Sequence, residues 1–178
     1  MKSLKKKDVI KILVLSIPIA LIGLLFGKST IVFLFVISAI ILDLVIFMFP
    51  SIKYFGIELI TFTIILIGFV YGPMAGAMAG FILLIFHLIV ARYSFGVYIT
   101  WLIPAYALAG FLSGMLKGIG LMNLGIYSTI GISLTNIFLS LALDNRNFSE
   151  NLIYSMSNCA FNIFLFLQLN SFIAEVFI

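Results

Sequence analysis

Seven long apolar runs, divided only by short breaks, leave this chain few ways to fold. A helix that crosses the hydrocarbon core of a bilayer needs about 20 predominantly apolar residues, and most of the runs approach or exceed that length. The runs occupy residues 9–27, 31–49, 57–71, 74–91, 97–116, 121–143 and 152–177. They lack the alternation of polar and apolar residues found in membrane-spanning strands. The sequence therefore predicts an all-α, polytopic transmembrane bundle of six or seven helices.

The composition supports the same conclusion. Of the 178 residues, 64% are hydrophobic and 9% are charged, and the mean hydropathy is +1.33. Soluble domains are about 45–50% apolar and about 25% charged, so this chain cannot cover itself with a water-facing surface. We expect one integral membrane domain over residues 1–178, in which residues 1–8 form a basic cytoplasmic tail.

The basic residues indicate which end of the chain lies inside the cell. Half of the ten basic residues fall in the first eleven positions: Lys2, Lys5, Lys6, Lys7 and Lys11. Such a cluster before the first apolar run is typical of a cytoplasmic anchor, and it gives no reason to expect nucleic acid as a partner. If all seven runs cross, eight basic residues lie inside and only Lys28 and Lys117 lie outside. This predicts a multi-pass plasma-membrane protein with a cytoplasmic N-terminus, and it places Gly72 and Pro73 outside.

Small residues recur on two of the predicted helices. Gly72, Gly76 and Gly80 are spaced four residues apart, and a second glycine series extends from Gly110 to Gly118. A helix face without side-chain bulk lets another helix approach closely in lipid. The neighbouring helix can belong to the same bundle or to a partner protein, and the sequence is compatible with both.

A family resemblance rests on these glycines. The order Gly-Pro-x-x-Gly-x-x-x-Gly ends at Gly80, and Ala-x-x-Gly-x-x-x-Gly-x-x-Lys follows from Ala107 to Lys117. Together they resemble the S components, the substrate-binding membrane subunits of energy-coupling-factor vitamin transporters. The sequence Asn-Cys-Ala-Phe-Asn, from Asn158 to Asn162, is similar to the last helix of several S components. The resemblance covers residues 58–117 well and the remainder loosely.

The resemblance implies a function and a set of partners. An S component captures a vitamin or a similar micronutrient and associates with a transmembrane coupling subunit driven by two ATPases. It carries no nucleotide site of its own, and this sequence contains no Walker-type glycine loop. The resemblance implies that small residues meet the coupling subunit. The matching positions on the first helix are Ser16 and Ala20, and the small face formed by Gly72, Gly76 and Gly80 is the other predicted docking position.

The resemblance and the charge count disagree about topology. S components typically have six helices and a cytoplasmic Gly-Pro turn, whereas seven crossings place Gly72 and Pro73 outside. An early apolar run that is re-entrant would restore the family topology with the basic tail still inside. Both arrangements remain open at the level of sequence.

Two polar stripes suggest where a ligand would bind. Ser133, Asn136 and Ser140 share one face of a helix, and Ser155, Asn158 and Asn162 repeat the same spacing on the next helix. Because a short loop joins these helices, they run antiparallel and the stripes can face each other. Ligand sites combine apolar walls with a few placed polar groups. The predicted substrate-binding residues are therefore Trp101, Tyr106, Asn136, Asn158 and Asn162; the alternative is simple hydrogen bonding between helices.

Ionisable residues inside the apolar runs are the remaining candidates. Asp43 is the deepest, while Glu58 and His87 are expected near the membrane interface. We predict no enzyme, because the positions one turn either side of His87 hold only leucine, valine and alanine. We also predict no metal site and no cofactor. Two rival functions are a structural scaffold resembling the small rod-shape-determining membrane proteins, without a ligand, and an independent carrier that uses Asp43.

Overall fold

The fold is a bundle of helices. A computed structural model describes residues 28–91, 93 and 96–177, and it leaves the first apolar run, with Ser16 and Ala20, outside the described residues. The described α-helices are α1 (Lys28–Met48), α2 (Ile60–Tyr71), α3 (Pro73–Val90), α4 (Ile99–Met115), α5 (Leu121–Leu143) and α6 (Phe148–Phe177). Short 3₁₀ helices occupy Pro50–Phe55, Lys117–Ile119 and Asn145–Asn147. These residues contain no strand, so the predicted all-α class is confirmed.

Within the part of the chain that the structure describes, four helices are long and apolar enough to cross a membrane. The qualifying segments are Ser29–Met48 of α1, Pro73–Val90 of α3, Leu121–Leu143 of α5 and Phe148–Leu169 of α6. Large apolar side chains on these helices point away from the bundle; Met78 is 59% exposed and Phe138 is 64% exposed. A surface of this kind is suited to lipid, and the chain is a membrane protein.

Helix α2 is the centre of the bundle. It contacts each of the other five α-helices, and the exposed fractions of Phe62, Ile64 and Leu66 are all 0%. At about 1.5 Å per residue, its 12 residues are shorter than the hydrocarbon core. A short helix is tolerated at membrane depth because protein surrounds it and satisfies the backbone beyond its ends.

The break between α2 and α3 lies at Gly72 and Pro73. Gly72 has a φ of 101°, a conformation that side chains with a Cβ rarely adopt. Pro73 begins α3, where its missing N–H group costs no helical hydrogen bond. We name this end of the bundle the Gly72 end. The opposite end, where α1, α3 and α5 finish, is named the Lys53 end.

The small-residue face of α3 packs against α4. A Cβ atom on Gly76 would lie 2.1 Å from the carbonyl oxygen of Gly110, and one on Gly80 would lie 2.5 Å from the carbonyl oxygen of Tyr106. The two backbones therefore meet without side chains between them, which is the internal-packing interpretation. Gly76 and Gly80 are buried in this contact, so a partner on α3 would have to use another face. A docking role for Gly72 stays a prediction.

Candidate ligand-binding site

A cavity of about 150 Å³ lies at the Lys53 end of the bundle. Most of the side chains around it are aromatic or polar, with three leucines completing the walls. The lining residues are Lys53, Tyr54, Leu84, His87, Leu88, Tyr93, Tyr98, Leu102, Tyr106, Asn136, Glu150, Asn151 and Tyr154. Apolar walls with a few convergent polar groups are the usual composition of a small-molecule site.

The helix order brings these residues together. His87 lies in the last turn of α3, and Tyr98 immediately precedes α4. Asn136 lies two turns before the end of α5, and Tyr154 lies in the second turn of α6. Because α3 and α5 end where α4 and α6 begin, residues far apart in sequence reach the same depth.

His87 is held by Asp43 of α1. The Nδ1 atom of His87 lies 2.6 Å from Oδ1 of Asp43, and the two residues are 1% and 2% exposed. Since a carboxylate can only accept, the imidazole donates from Nδ1. Its Nε2 atom is buried and has no hydrogen-bond partner among the described protein groups. His87 does lie near the end of its helix. The imidazole is nevertheless buried in protein rather than exposed at the membrane interface.

The two polar stripes of α5 and α6 do face each other. Asn136 Nδ2 donates to Ser155 Oγ at 2.7 Å, and Asn151 Nδ2 donates to Ser140 Oγ at 3.0 Å. Gly125 of α5 and Phe166 of α6 are opposite each other in the same antiparallel register, and the Phe166 ring occupies the space beside Gly125. The hydrogen-bonding interpretation therefore describes much of the seam between the two helices, while Asn136 and Asn151 at its end also line the cavity.

Trp101 completes this polar arrangement. Its indole Nε1 donates to Oδ1 of Asn136 at 2.9 Å, so both ends of the Asn136 amide are fixed. Trp101 is 6% exposed and is the single tryptophan of the sequence. Trp101 is not a lining residue of the cavity but is hydrogen-bonded to one, Asn136. Tyr106 and Asn136 line the cavity directly.

Asn158 and Asn162 have a different partner, Glu58. Asn158 Nδ2 donates to Oε1 of Glu58 at 2.9 Å and to the carbonyl oxygen of Gly56 at 3.0 Å. Asn162 Nδ2 lies 3.5 Å from the same carboxylate oxygen. Neither asparagine is among the residues that line the cavity. Their role in substrate binding stays a prediction. In the structure, their side-chain amides contact the carboxylate of Glu58.

Glu58 is also bound to the start of α2. Its carboxylate accepts from the backbone N–H groups of Ile60 and Thr61, and from the Thr61 hydroxyl at 2.5 Å. An acidic group at this position favours the positive end of the helix dipole. Glu58 is 1% exposed, so the expectation of an interfacial carboxylate gives way to a buried one that caps the central helix.

A chain of hydroxyl groups connects Glu58 with the cavity. The hydroxyl oxygens of Thr61 and Tyr106 lie 3.4 Å apart. Because the single Thr61 proton is donated to Glu58, Tyr106 is the donor in this contact, and Tyr106 is also hydrogen-bonded to Tyr154. Tyr106 and Tyr154 both line the cavity. The cap of α2 and the cavity wall are therefore parts of one polar network.

Two tyrosines in the loop between α3 and α4, Tyr93 and Tyr98, have raised pKa values. Burial, with a smaller contribution from the charge of Asp144, raises the pKa of Tyr98 to about 12. Burial, followed by the charge of Glu58, raises the pKa of Tyr93 well above its usual value of 10.0. Lys53 Nζ lies 5.1 Å and 5.7 Å from the ring centres of Tyr54 and Tyr93, within cation–π range. Near neutral pH the phenol groups of Tyr93 and Tyr98 can both donate and accept hydrogen bonds.

No protein family, curated protein or solved structure matches this chain in the comparisons. The evidence for function therefore comes from the geometry of the cavity and from the residues that surround it.

Proposed function

We propose that this protein is the substrate-binding membrane subunit of an energy-coupling-factor type transporter, which captures a small micronutrient for ATP-driven uptake by partner subunits. The observation that carries the proposal is the cavity at the Lys53 end, where aromatic and amide side chains from four helices and their loops converge. A scaffold without a ligand has no need for such a space, because a void forfeits packing energy.

The arrangement of the two ends supports the proposal. Gly72, whose docking role is a prediction, lies at one end of the bundle, and the cavity lies at the other end. Ligand capture and coupling to a partner would therefore take place at opposite membrane surfaces, as an uptake system requires. The long side chains Met74 and Met78 face outward on α3 near the Gly72 end, and they are available to an apolar partner.

We place the Lys53 end outside the cell and the Gly72 end in the cytoplasm. This orientation keeps the basic N-terminal tail inside if the run at 9–27 does not cross. Seven basic residues then lie inside, and Lys53, Arg92 and Arg146 lie outside, which still satisfies the positive-inside rule. The conflict between the charge count and the cytoplasmic Gly-Pro turn then disappears.

Labelling of single cysteines in whole cells tests the orientation. Cys159 is first replaced by alanine, and cysteine is introduced at Asn145 or at Lys117, which are exposed at opposite ends. We expect a membrane-impermeant maleimide to label Asn145→Cys in intact cells and Lys117→Cys only after permeabilisation. The reverse pattern would place the cavity at the cytoplasmic surface and contradict the proposed direction of capture.

Ligand binding can be followed through the fluorescence of Trp101. The indole is hydrogen-bonded to a residue of the cavity wall, so a vitamin that enters should alter its emission. We expect one member of a vitamin panel to change the fluorescence saturably. Asn136→Leu should weaken that binding about tenfold or more, because a hydrogen bond to the ligand is lost.

Asn123→Leu is the matched control. Asn123 is an exposed residue of α5 near the Gly72 end, where its side chain bonds only the carbonyl oxygen of Ile119. Its replacement should leave the affinity unchanged. If calorimetry and fluorescence detect no ligand in the whole panel, the scaffold interpretation takes the place of the transporter proposal.

A further inference from the structure

Among the described residues that line the cavity, His87 is the one with a buried side-chain polar atom that has no hydrogen-bond partner. Asp43 is not among the residues that line the cavity, and it holds the Nδ1 side of the imidazole. His87 lines the cavity, and Nε2 is the ring nitrogen that Asp43 leaves without a partner among the described residues. A buried polar atom without a hydrogen bond is costly, and a bound ligand would remove that cost.

We propose that the cavity binds a compound with a single heteroaromatic ring, and that His87 Nε2 is the hydrogen-bond acceptor that anchors it. The inference rests on the proposed function and narrows its substrate class. It also gives the pair of Asp43 and His87 a role, with Asp43 as the positioning residue and His87 as the binding residue.

The volume of the cavity favours a ligand with one ring. A protein cavity of about 150 Å³ accommodates a benzene molecule, and the cavity here has the same volume. One six-membered ring with small substituents fits such a space. The cavity is partly open, so the second ring of a fused-ring or linked-ring compound would have to lie in its opening, outside these contacts.

The walls favour a flat ligand. The ring centres of His87 and Tyr93 lie 5.2 Å apart, and those of Tyr93 and Tyr154 lie 6.2 Å apart in an edge-to-face arrangement. Aromatic rings gain energy from such offset and perpendicular contacts. Leu84 and Leu102 contribute apolar surface to the same space, so a planar ring would be in contact with groups that suit it.

The tautomer of His87 fixes the kind of polar group that the ligand presents. In the tautomer that carries its one proton on Nδ1, facing Asp43, the Nε2 atom offers a lone pair. The complementary ligand atom is a donor, such as an amino, hydroxyl or ring N–H group. The tyrosine hydroxyl groups and the Asn136 amide supply further donors and acceptors around the ring.

Two substitutions of His87 separate the Nε2 contact from the Asp43 contact. Asparagine keeps a polar atom near the position of Nδ1 and has none at the position of Nε2, whereas glutamine reaches the position of Nε2. We expect His87→Asn to weaken binding about tenfold or more. His87→Gln should stay within about threefold of the unchanged protein. Thermal melting and the emission of unliganded Trp101 confirm that both variants are folded.

The experiment titrates the full-length protein in detergent with two groups of probes. Nicotinamide, pyridoxine and pyridoxamine carry one ring; thiamin, riboflavin and folate carry more. We expect saturable binding from the first group and loss of that binding in His87→Asn. If a compound with two or more rings binds best, or if His87→Asn binds as tightly as His87→Gln, this inference is wrong while the proposed function stands. If no compound in either group binds, the proposed function fails with it.

Discussion

Gly76→Leu is expected to prevent α3 and α4 from packing, and even Gly76→Ala should destabilise the bundle by about 3 kcal/mol. The added Cβ would lie 2.1 Å from the carbonyl oxygen and 2.6 Å from the carbonyl carbon of Gly110. These are backbone atoms, so no side chain can rotate away. The two helices therefore have to move apart. A Cβ added at Gly110 instead would lie 2.2 Å from the carbonyl oxygen of Gly76, so the contact leaves no room on either helix. Overpacking of this kind typically costs about 1–3 kcal/mol, and sometimes more.

Gly131→Ala is the matched control for this prediction. Gly131 also lies within a helix, α5, but a Cβ there meets nothing within 4 Å. Alanine is the better helix former, so the substitution should be neutral or stabilise the protein by up to about 1 kcal/mol. The free energy of unfolding, measured by denaturant titration in micelles, gives the comparison. Equal stability of Gly76→Ala and Gly131→Ala would show that the α3–α4 contact is not the close backbone contact described here.

Much of the helical architecture could be predicted from hydropathy. The apolar runs at 74–91 and 121–143 differ from α3 and α5 by no more than one residue at either end. Lipid enforces this agreement, because every backbone group at membrane depth must be satisfied within a helix. The run at 57–71 is an exception, because α2 begins only at Ile60. The Glu58 side chain takes up the first free N–H groups there, which moves the helix start.

The site was only partly predictable because its key contacts join distant residues. The stripe on α5 correctly predicted that Asn136 faces α6, since both helices repeat one polar spacing and a short loop joins them. Glu58 and Asn158 are 100 positions apart, and no local pattern relates them. A usable signal existed for Asp43 and His87. Each precedes the end of its helix by a few residues, and α1 and α3 end on the same side, so their depths could have been matched.

Glu58→Leu is expected to destabilise the protein by about 3 kcal/mol or more, because it removes the acceptor on which the start of the central helix depends. The backbone N–H groups of Ile60 and Thr61 would be left buried without partners, at about 1–3 kcal/mol for each group. Asn158 would retain the carbonyl oxygen of Gly56, so the asparagines contribute less to the loss than the helix start does.

Glu58→Gln separates two contributions of Glu58 to stability: the hydrogen bonds it accepts at the start of α2 and its negative charge. Glutamine keeps one acceptor oxygen but presents an N–H group to donors, and we expect a loss of about 1–2 kcal/mol, between the unchanged protein and Glu58→Leu. Glu150→Gln is the control for stability alone, since Glu150 is an exposed carboxylate at the same end that also lines the cavity; it should change stability by less than about 1 kcal/mol. Because Thr61, Tyr106 and Tyr154 connect Glu58 with the cavity, Glu58→Gln should also weaken ligand binding in the Trp101 assay. A Glu58→Leu protein as stable as Glu150→Gln would show that α2 does not depend on this carboxylate for its start.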